Sequence, residues 1–441
     1  MQINDEYDVV VIGAGISGMS TAAILSRRGF RCAVLEKKSC PGGRASWIEK
    51  NGFIVDFGIH INRYAAQGKA AEVLRLTGEQ PRFLPVDKPV LFTRGKFISL
   101  PSSPVEIITT PLLSFKSRLR LLKFLFKIVS ARSADDLYKI SVQEWLHQNN
   151  ITEGDITELV QVLSGAGIVC PDLDRASAGE LFFFLRSALK AQHTTGYFLG
   201  GWRSLFAALE RAVNTNGVIL YNTKVDEVIL KNGNATGVRC GENFFQGKTV
   251  VSSLPLQEVE SIIPEKCLPA KVLQYARSLE PTCGIVYDFC LKKRVSDING
   301  IILTSDPCTM GLFVSNIEPA LAPRGKQIGN WFYPIPYEKM NDHEFLNLSK
   351  RHLQGILDNM FPHLRGEIEF ERTMELSMVD SAMPCVGQTS ADRPAVDCSP
   401  VPNFFIVGDS VGAEGHGGDI AFASAITCAQ KIEQLIRSVV S

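Results

Sequence analysis

Two kinds of hydrophobic pattern divide the chain. Short, nearly unbroken apolar runs stand close to both ends: Tyr7-Asp-Val-Val-Val-Ile12, Arg31-Cys-Ala-Val-Leu35 and Phe404-Phe-Ile-Val407. Runs of this length read as parallel strands buried on both faces. Further strands are expected at Val218–Leu220, Val225–Leu230, Ala235–Val238 and Val250–Ser252, with Asn232-Gly233 as a hairpin turn. Between these lie two stretches of different character. Residues 76–199 show helical periodicity at 113–130, 140–148, 155–164 and 177–190. Residues 256–379 mix strands at Cys283–Leu291, Gly300–Leu303, Gly311–Ser315 and Gln327–Tyr333 with a helix at 342–360. The pattern predicts an α/β fold, with helices on one face of a mixed sheet in the second lobe.

The chemistry lies where the apolar runs stop. The first runs into Gly13-Ala-Gly15-Ile16-Ser17-Gly18 and then a helix of small residues. Gly13 permits a tight turn, Gly15 lets backbone approach a pyrophosphate, and Gly18 lets helix and strand pack closely. The helix start offers free N–H groups and a positive dipole end to phosphate. Glu36, 18 positions after Gly18, ends the second run where an acid can accept from ribose hydroxyls. A carboxylate there disfavours a 2′-phosphate, and Lys37 beside it offsets this only slightly.

Three further features select FAD over NAD. Gly42-Gly43-Arg44 offers a second close backbone approach to phosphate with a guanidinium beside it. Phe53–Asp56 and Gly58 form a short strand and glycine turn, with His60 two positions on. The last run ends in Gly408-Asp409, where a carboxylate can meet a ribityl hydroxyl, and Glu414-Gly-His416-Gly-Gly418-Asp419-Ile420 opens a final helix. That helix start would face the flavin and stabilise negative charge on its pyrimidine side.

These segments together resemble the FAD-dependent family of amine oxidases, protoporphyrinogen oxidases and phytoene-type desaturases. The likeness includes Gly200–Leu209, Lys224–Val228 and Val250–Pro255, and so runs nearly the length of the chain. It implies a Rossmann-like FAD-binding domain of the glutathione-reductase type, discontinuous over residues 1–75, 200–255 and 380–441. A mixed α+β substrate domain would take 76–199 and 256–379. It also implies that the backbone of Val225 meets the adenine. Amine oxidases of the family carry a lysine on a strand near the flavin; the matching stretch here, Pro281–Leu291, has none. Ser141–Leu146, Pro171–Asp174, Gly311–Ser315 and Ala322–Lys326 look like the desaturase and protoporphyrinogen-oxidase branches. Desaturases usually place a proline after the histidine of the last box; here Gly417 follows His416.

Composition removes several alternatives. Lysine and arginine balance aspartate and glutamate at 46 each, which gives nucleic acid no electrostatic hold. The 11 cysteines contain no C-x-x-C pair, so neither disulfides nor a metal site is expected. A polar start without a signal pattern, and no span-length apolar run, point to the cytoplasm. The basic, amphipathic stretch 116–132 reads either as a lobe-covering helix or as a peripheral membrane contact.

His416 and Asp419 are the candidate catalytic groups. The alternative for Asp419 is to cap the last helix, and for His416 to stand at the flavin edge. Trp331-Phe-Tyr333 reads as pocket wall or as core. The expected activity is hydride transfer between a largely apolar substrate and flavin, desaturating or saturating a C–C bond. Amine or porphyrinogen-type oxidation, and a non-redox isomerase or scaffold role, are the alternatives.

Overall fold

The computed structural model describes residues 6–58, 61–130, 135–190 and 195–440. His60 therefore lies outside the described residues. Strands Gly217–Leu220, Cys32–Leu35, Glu6–Ile12, Asn243–Ser252 and Phe404–Ile406 lie side by side and parallel in that order. Register aligns Leu220, Leu35, Ile12, Ser252 and Ile406 along one edge. The hairpin Glu227–Lys231 and Asn234–Cys240 extends the sheet antiparallel, on the early half of Asn243–Ser252. Its turn has φ of 53° at Asn232 and 81° at Gly233, as the Asn-Gly signal demands.

Val9, Val10 and Val11 are fully buried because both sheet faces are covered. Helix Ile16–Arg27 packs between Gly201–Val213 and the final helix Gly418–Val440. Segment 256–279 also enters this core, through Leu256, Val259, Ile262, Ile263, Val272 and Ala276.

The second sheet runs Ile368–Leu376, Cys283–Leu291, Gln327–Ile335, Cys308–Leu312, Gly300–Ser305, Asp87–Thr93, Lys96–Ser99. All its pairs are antiparallel except Gly300–Ser305 with Asp87–Thr93. The strand Cys283–Leu291 is buried throughout, with side chains alternating between two cores. Val286 joins the helices of 104–190, whereas Ile285, Tyr287 and Phe289 join helix His343–Met360. Helices thus cover both faces of this sheet, not one.

The structure adds to these expectations and corrects one. Ahead of the helices expected from residue 113 on, Phe83–Pro85, Asp87–Thr93 and Lys96–Ser99 are strands. The strand expected at Gly311–Ser315 ends at Leu312, and Val314–Ile317 turns into a short helix. Asn316 Nδ2 donates to the carbonyls of Ser296 and Ile298, which holds the chain out of the sheet. Trp331, Phe332 and Tyr333 are core rather than pocket wall: Trp331 stacks on Phe289 at 5.7 Å and meets Phe361 edge-on at 5.9 Å.

Candidate flavin and active site

All five parallel strands of the first sheet deliver their C-terminal ends to one edge, where ligands bind in open α/β sheets. Gly13 leaves that edge with φ of 94°. A Cβ at Gly18 would lie 2.2 Å from the Gly13 carbonyl oxygen, so only glycine lets helix and turn touch. A Cβ at Gly15 would meet nothing within 4 Å, which leaves space where a pyrophosphate would approach. Ile16, Ser17 and Gly18 form the first helical turn, whose N–H groups have no intrahelical acceptor. The Gly42-Gly43 turn is seated on this loop: the Gly42 N–H donates to Ala14 O at 2.9 Å. A Cβ at Gly43 would be 3.4 Å from the Gly15 Cα.

Glu36 is buried at the end of its strand. Its Oε2 accepts from the Ala14 N–H at 2.7 Å and its Oε1 from the Lys38 N–H at 2.8 Å. Each oxygen keeps a lone pair for a ribose hydroxyl. Lys37 is exposed and stands clear of this network. Val225 is buried outside any strand, and its backbone N–H and C=O have no partner among the described residues. Glycine cradle, unspent carboxylate lone pairs and free Val225 backbone all fit the phosphate, ribose and base of FAD. Glu36→Ala should therefore cost about 1.5–3 kcal/mol of FAD affinity. Comparing FAD released on dialysis measures it; retention equal to wild type would refute the placement.

The Asp409 carboxylate pairs with Arg44, Oδ1 at 2.7 Å from Nη2 and Oδ2 at 2.8 Å from Nη1, and also takes the Ser381 N–H at 2.8 Å and its hydroxyl. Burial opposes its charge, but Arg44 and Ser381 outweigh burial and hold its pKa well below the usual range. Two residues predicted to meet the cofactor separately thus meet each other. Gly408, with φ of 147°, precedes this cluster and donates its N–H to Ser424 Oγ at 3.0 Å. Gly58 brings in the second sheet, since a Cβ there would lie 3.8 Å from Val286.

The last helix begins at Gly418, so Asp419 lies in its first turn rather than at its cap. Before it, a small cavity of about 10 Å³, room for about one water, is bounded by Arg63, Glu180, Asp380, Arg393, His416 and Ile420. His416 is 3% exposed, and its Nε2 has no partner among the described residues. Phe183 packs on its ring at 4.7 Å and Phe184 edge-on at 5.9 Å. Glu180 Oε2 is 3.6 Å from Nδ1, too far for a hydrogen bond, so it does not rescue the imidazolium. Burial, then Arg63 and Arg393, push the His416 pKa down to about 3. Burial pushes the Asp419 carboxyl up to about 6, against Arg63 and Lys69.

The sequence reading did not single out Glu180, Asp380, Ser381 or Arg393. Glu180 carried a signal, one acid inside the apolar Ala178–Lys190 helix; the loop holding Asp380 and Arg393 has no periodicity to read. Asp56, read only as the end of a short strand, is a buried carboxyl that accepts from Tyr197, and burial raises its pKa to about 7. Among the described residues no cluster could hold a metal.

Residues 16–433 match the family model described as flavin containing amine oxidoreductase. The chain belongs to that family. The dinucleotide of this flavin-dependent oxidoreductase is FAD. An Arabidopsis thaliana protoporphyrinogen oxidase 2 is 30% identical over 45% of this chain and 39% of its own length. A 15-cis-phytoene desaturase of Synechococcus elongatus is 21% identical over 91% of this chain and 90% of its own. A prolycopene isomerase of an Oncidium hybrid cultivar is 25% identical, and the match spans 64% of it. The alignments with the oxidase and the isomerase thus cover less than two thirds of those proteins. The fold of this family member matches an oxidoreductase from Methanosarcina mazei with a TM-score of 0.81, at 21% identity, over 97% of this chain and all of that one.

Proposed function

We propose that the protein moves a hydride between an apolar substrate and FAD, desaturating a C–C bond or saturating it. The observation that carries this reading is the wall before the last helix: Phe183, Phe184, Ile168, Val169 and Ile420 around a neutral His416. Bound FAD supplies the hydride acceptor and donor. The chain's own groups bind and orient. The Gly13–Gly18 turn takes the pyrophosphate, Glu36 the ribose and Val225 the adenine, in a glutathione-reductase-type arrangement that the parallel strand order supports. Phe183 and Phe184 exclude water, and His416 holds one proton on one ring nitrogen. The lysine-free strand Cys283–Leu291 argues against amine oxidation. The phytoene desaturase match along most of the chain supports the C–C reading. On the same reading the cofactor unit takes 1–75, 200–255 and 380–441, joined by 256–279, whose side chains pack into its core.

The test has an anaerobic arm, with polyenes, and an aerobic one, with amines. Long polyenes should bleach or restore the flavin absorbance of the purified protein, and amines should yield no peroxide in air. Amine-dependent peroxide without any polyene response would overturn the reading.

We also propose that helices Pro104–Thr109 and Phe115–Ser130 rest on a lipid surface. Val105, Phe115 and Phe126 are 70%, 72% and 74% exposed, and Ile108 and Leu119 are exposed beside them. Glu153 pairs with Lys116 and Arg120, so part of the basic charge is already spent and apolar insertion must supply most of the binding. Among the described residues no helix is long and apolar enough to cross a membrane. The protein should co-sediment with anionic vesicles, and Phe115→Ser with Phe126→Ser should release it; no sedimentation of wild type would end the idea.

A further inference from the structure

The cavity before the last helix contains a charge that the proposed reaction leaves unused. Arg393 is 8% exposed, and its Nε and Nη1 are buried without an acceptor in good hydrogen-bond geometry among the described residues; the buried Tyr275 hydroxyl is the neutral group that interacts with this guanidinium. Carboxylates line the same cavity, yet none satisfies these two groups. Asp409 is committed to Arg44 and Ser381, Glu180 accepts the Ser390 N–H, and Asp380 attracts Arg393 and Arg63 through space while burial and Asp409 hold its own charge back. Arg63 adds a second guanidinium, 5.5 Å above the Phe184 ring. His416 Nε2 is a third unpartnered polar atom here. Charged donors left bare inside a protein are costly, so the working complex should bring them oxygen. Guanidinium donors are fixed in a planar fork, which suits a carboxylate better than a lone hydroxyl.

We infer that Arg393 binds a carboxylate at one end of an otherwise apolar substrate, with His416 beside it and Ile168, Val169 and Ile420 against the adjoining hydrocarbon; the cavity, now the size of about one water, widens to admit it. The inference rests on the apolar-substrate reading and narrows it. The same donors could instead meet a carbonyl oxygen of the flavin, so the experiment separates the two sources.

The FAD-loaded protein is titrated with dodecanoate and with dodecanol, and flavin absorbance is followed. Dodecanoate should bind more tightly than dodecanol by about tenfold or more. Arg393→Gln should keep its FAD through gel filtration and lose that preference, and Arg393→Lys should keep part of it. Equal affinities in wild type overturn the carboxylate site and leave the apolar-substrate reading standing. No response to either ligand counts against both. If Arg393→Gln sheds FAD and wild type shows no preference, the donors belong to the flavin and the inference fails. Should Arg393→Gln not fold, the wild-type comparison decides alone.

Discussion

Gly18→Val should yield a protein that emerges from purification without flavin and melts well below wild type. The side chain at this position has no room. Its Cβ would stand 2.2 Å from the Gly13 carbonyl oxygen and 2.8 Å from Ser253 Oγ. The first obstacle is backbone, so rotamer changes cannot relieve it, and the helix must lift off the strand. Overpacking of this kind costs about 1–3 kcal/mol and sometimes more. The same displacement moves the first-turn N–H groups that would hold the pyrophosphate. Gly15→Ala provides the contrast, because its Cβ meets nothing within 4 Å. That variant should melt with flavin-free wild type, not below it, and still lose FAD, by filling the space of approach. Full flavin occupancy in Gly18→Val, read as the ratio of visible to ultraviolet absorbance, would show the cofactor held elsewhere.

The second large effect is on acid stability. His416 titrates near 6.5 when unfolded and near 3 in the folded protein, so between those values the unfolded chain binds a proton that the native one refuses. Its contribution is complete above the upper value and falls as pH drops toward the lower, by up to about 1.4 kcal/mol per pH unit. Asp56 and Asp419 act in the opposite sense. Their carboxyls are raised to about 7 and about 6, so the native state takes up protons first and gains as pH falls. Whole-protein melting would blend these slopes. The difference between wild type and His416→Gln isolates one of them. The variant should gain on wild type steadily from pH 6.5 to pH 4. A constant difference across that range would mean that His416 ionises in place, and that Glu180, not burial and the two arginines, governs it.

What could be read from the chain followed periodicity and glycine. The strands at Cys32–Leu35 and Cys283–Leu291 are legible because burial on both faces leaves an apolar run, broken in the second only by Asp288, which pairs with Arg372. The Gly13–Gly18 turn is legible because each glycine answers a separate steric demand. Asp87–Thr93 was not, since Asp87, Lys88 and Pro89 hide its start, and a proline is tolerated only toward a sheet's margin. The Arg94-Gly95 turn, with φ of 52° and 71°, was the available clue. The site divided in the same way. Loops that touch a phosphate declare themselves in glycine spacing. Glu180, Asp380 and Arg393 come together from positions 180 to 393 in the chain, and no local pattern encodes such a meeting.

The first sheet also dictates an order of events during synthesis. Ile12 lies beside Ser252, and Ser252 lies beside Ile406. A nascent chain that has made only the glycine turn has one βαβ unit with an uncovered flank, and the strand that fills it arrives more than 200 residues later. Such long-range pairing is slow and leaves apolar edges open while it waits. The Asp409 partner of Arg44 and the helix that covers Ile16–Arg27 come later still. Flavin capture is thus a late checkpoint in the life of each molecule, and a supply of free FAD at that moment would act as a folding aid as well as a reagent.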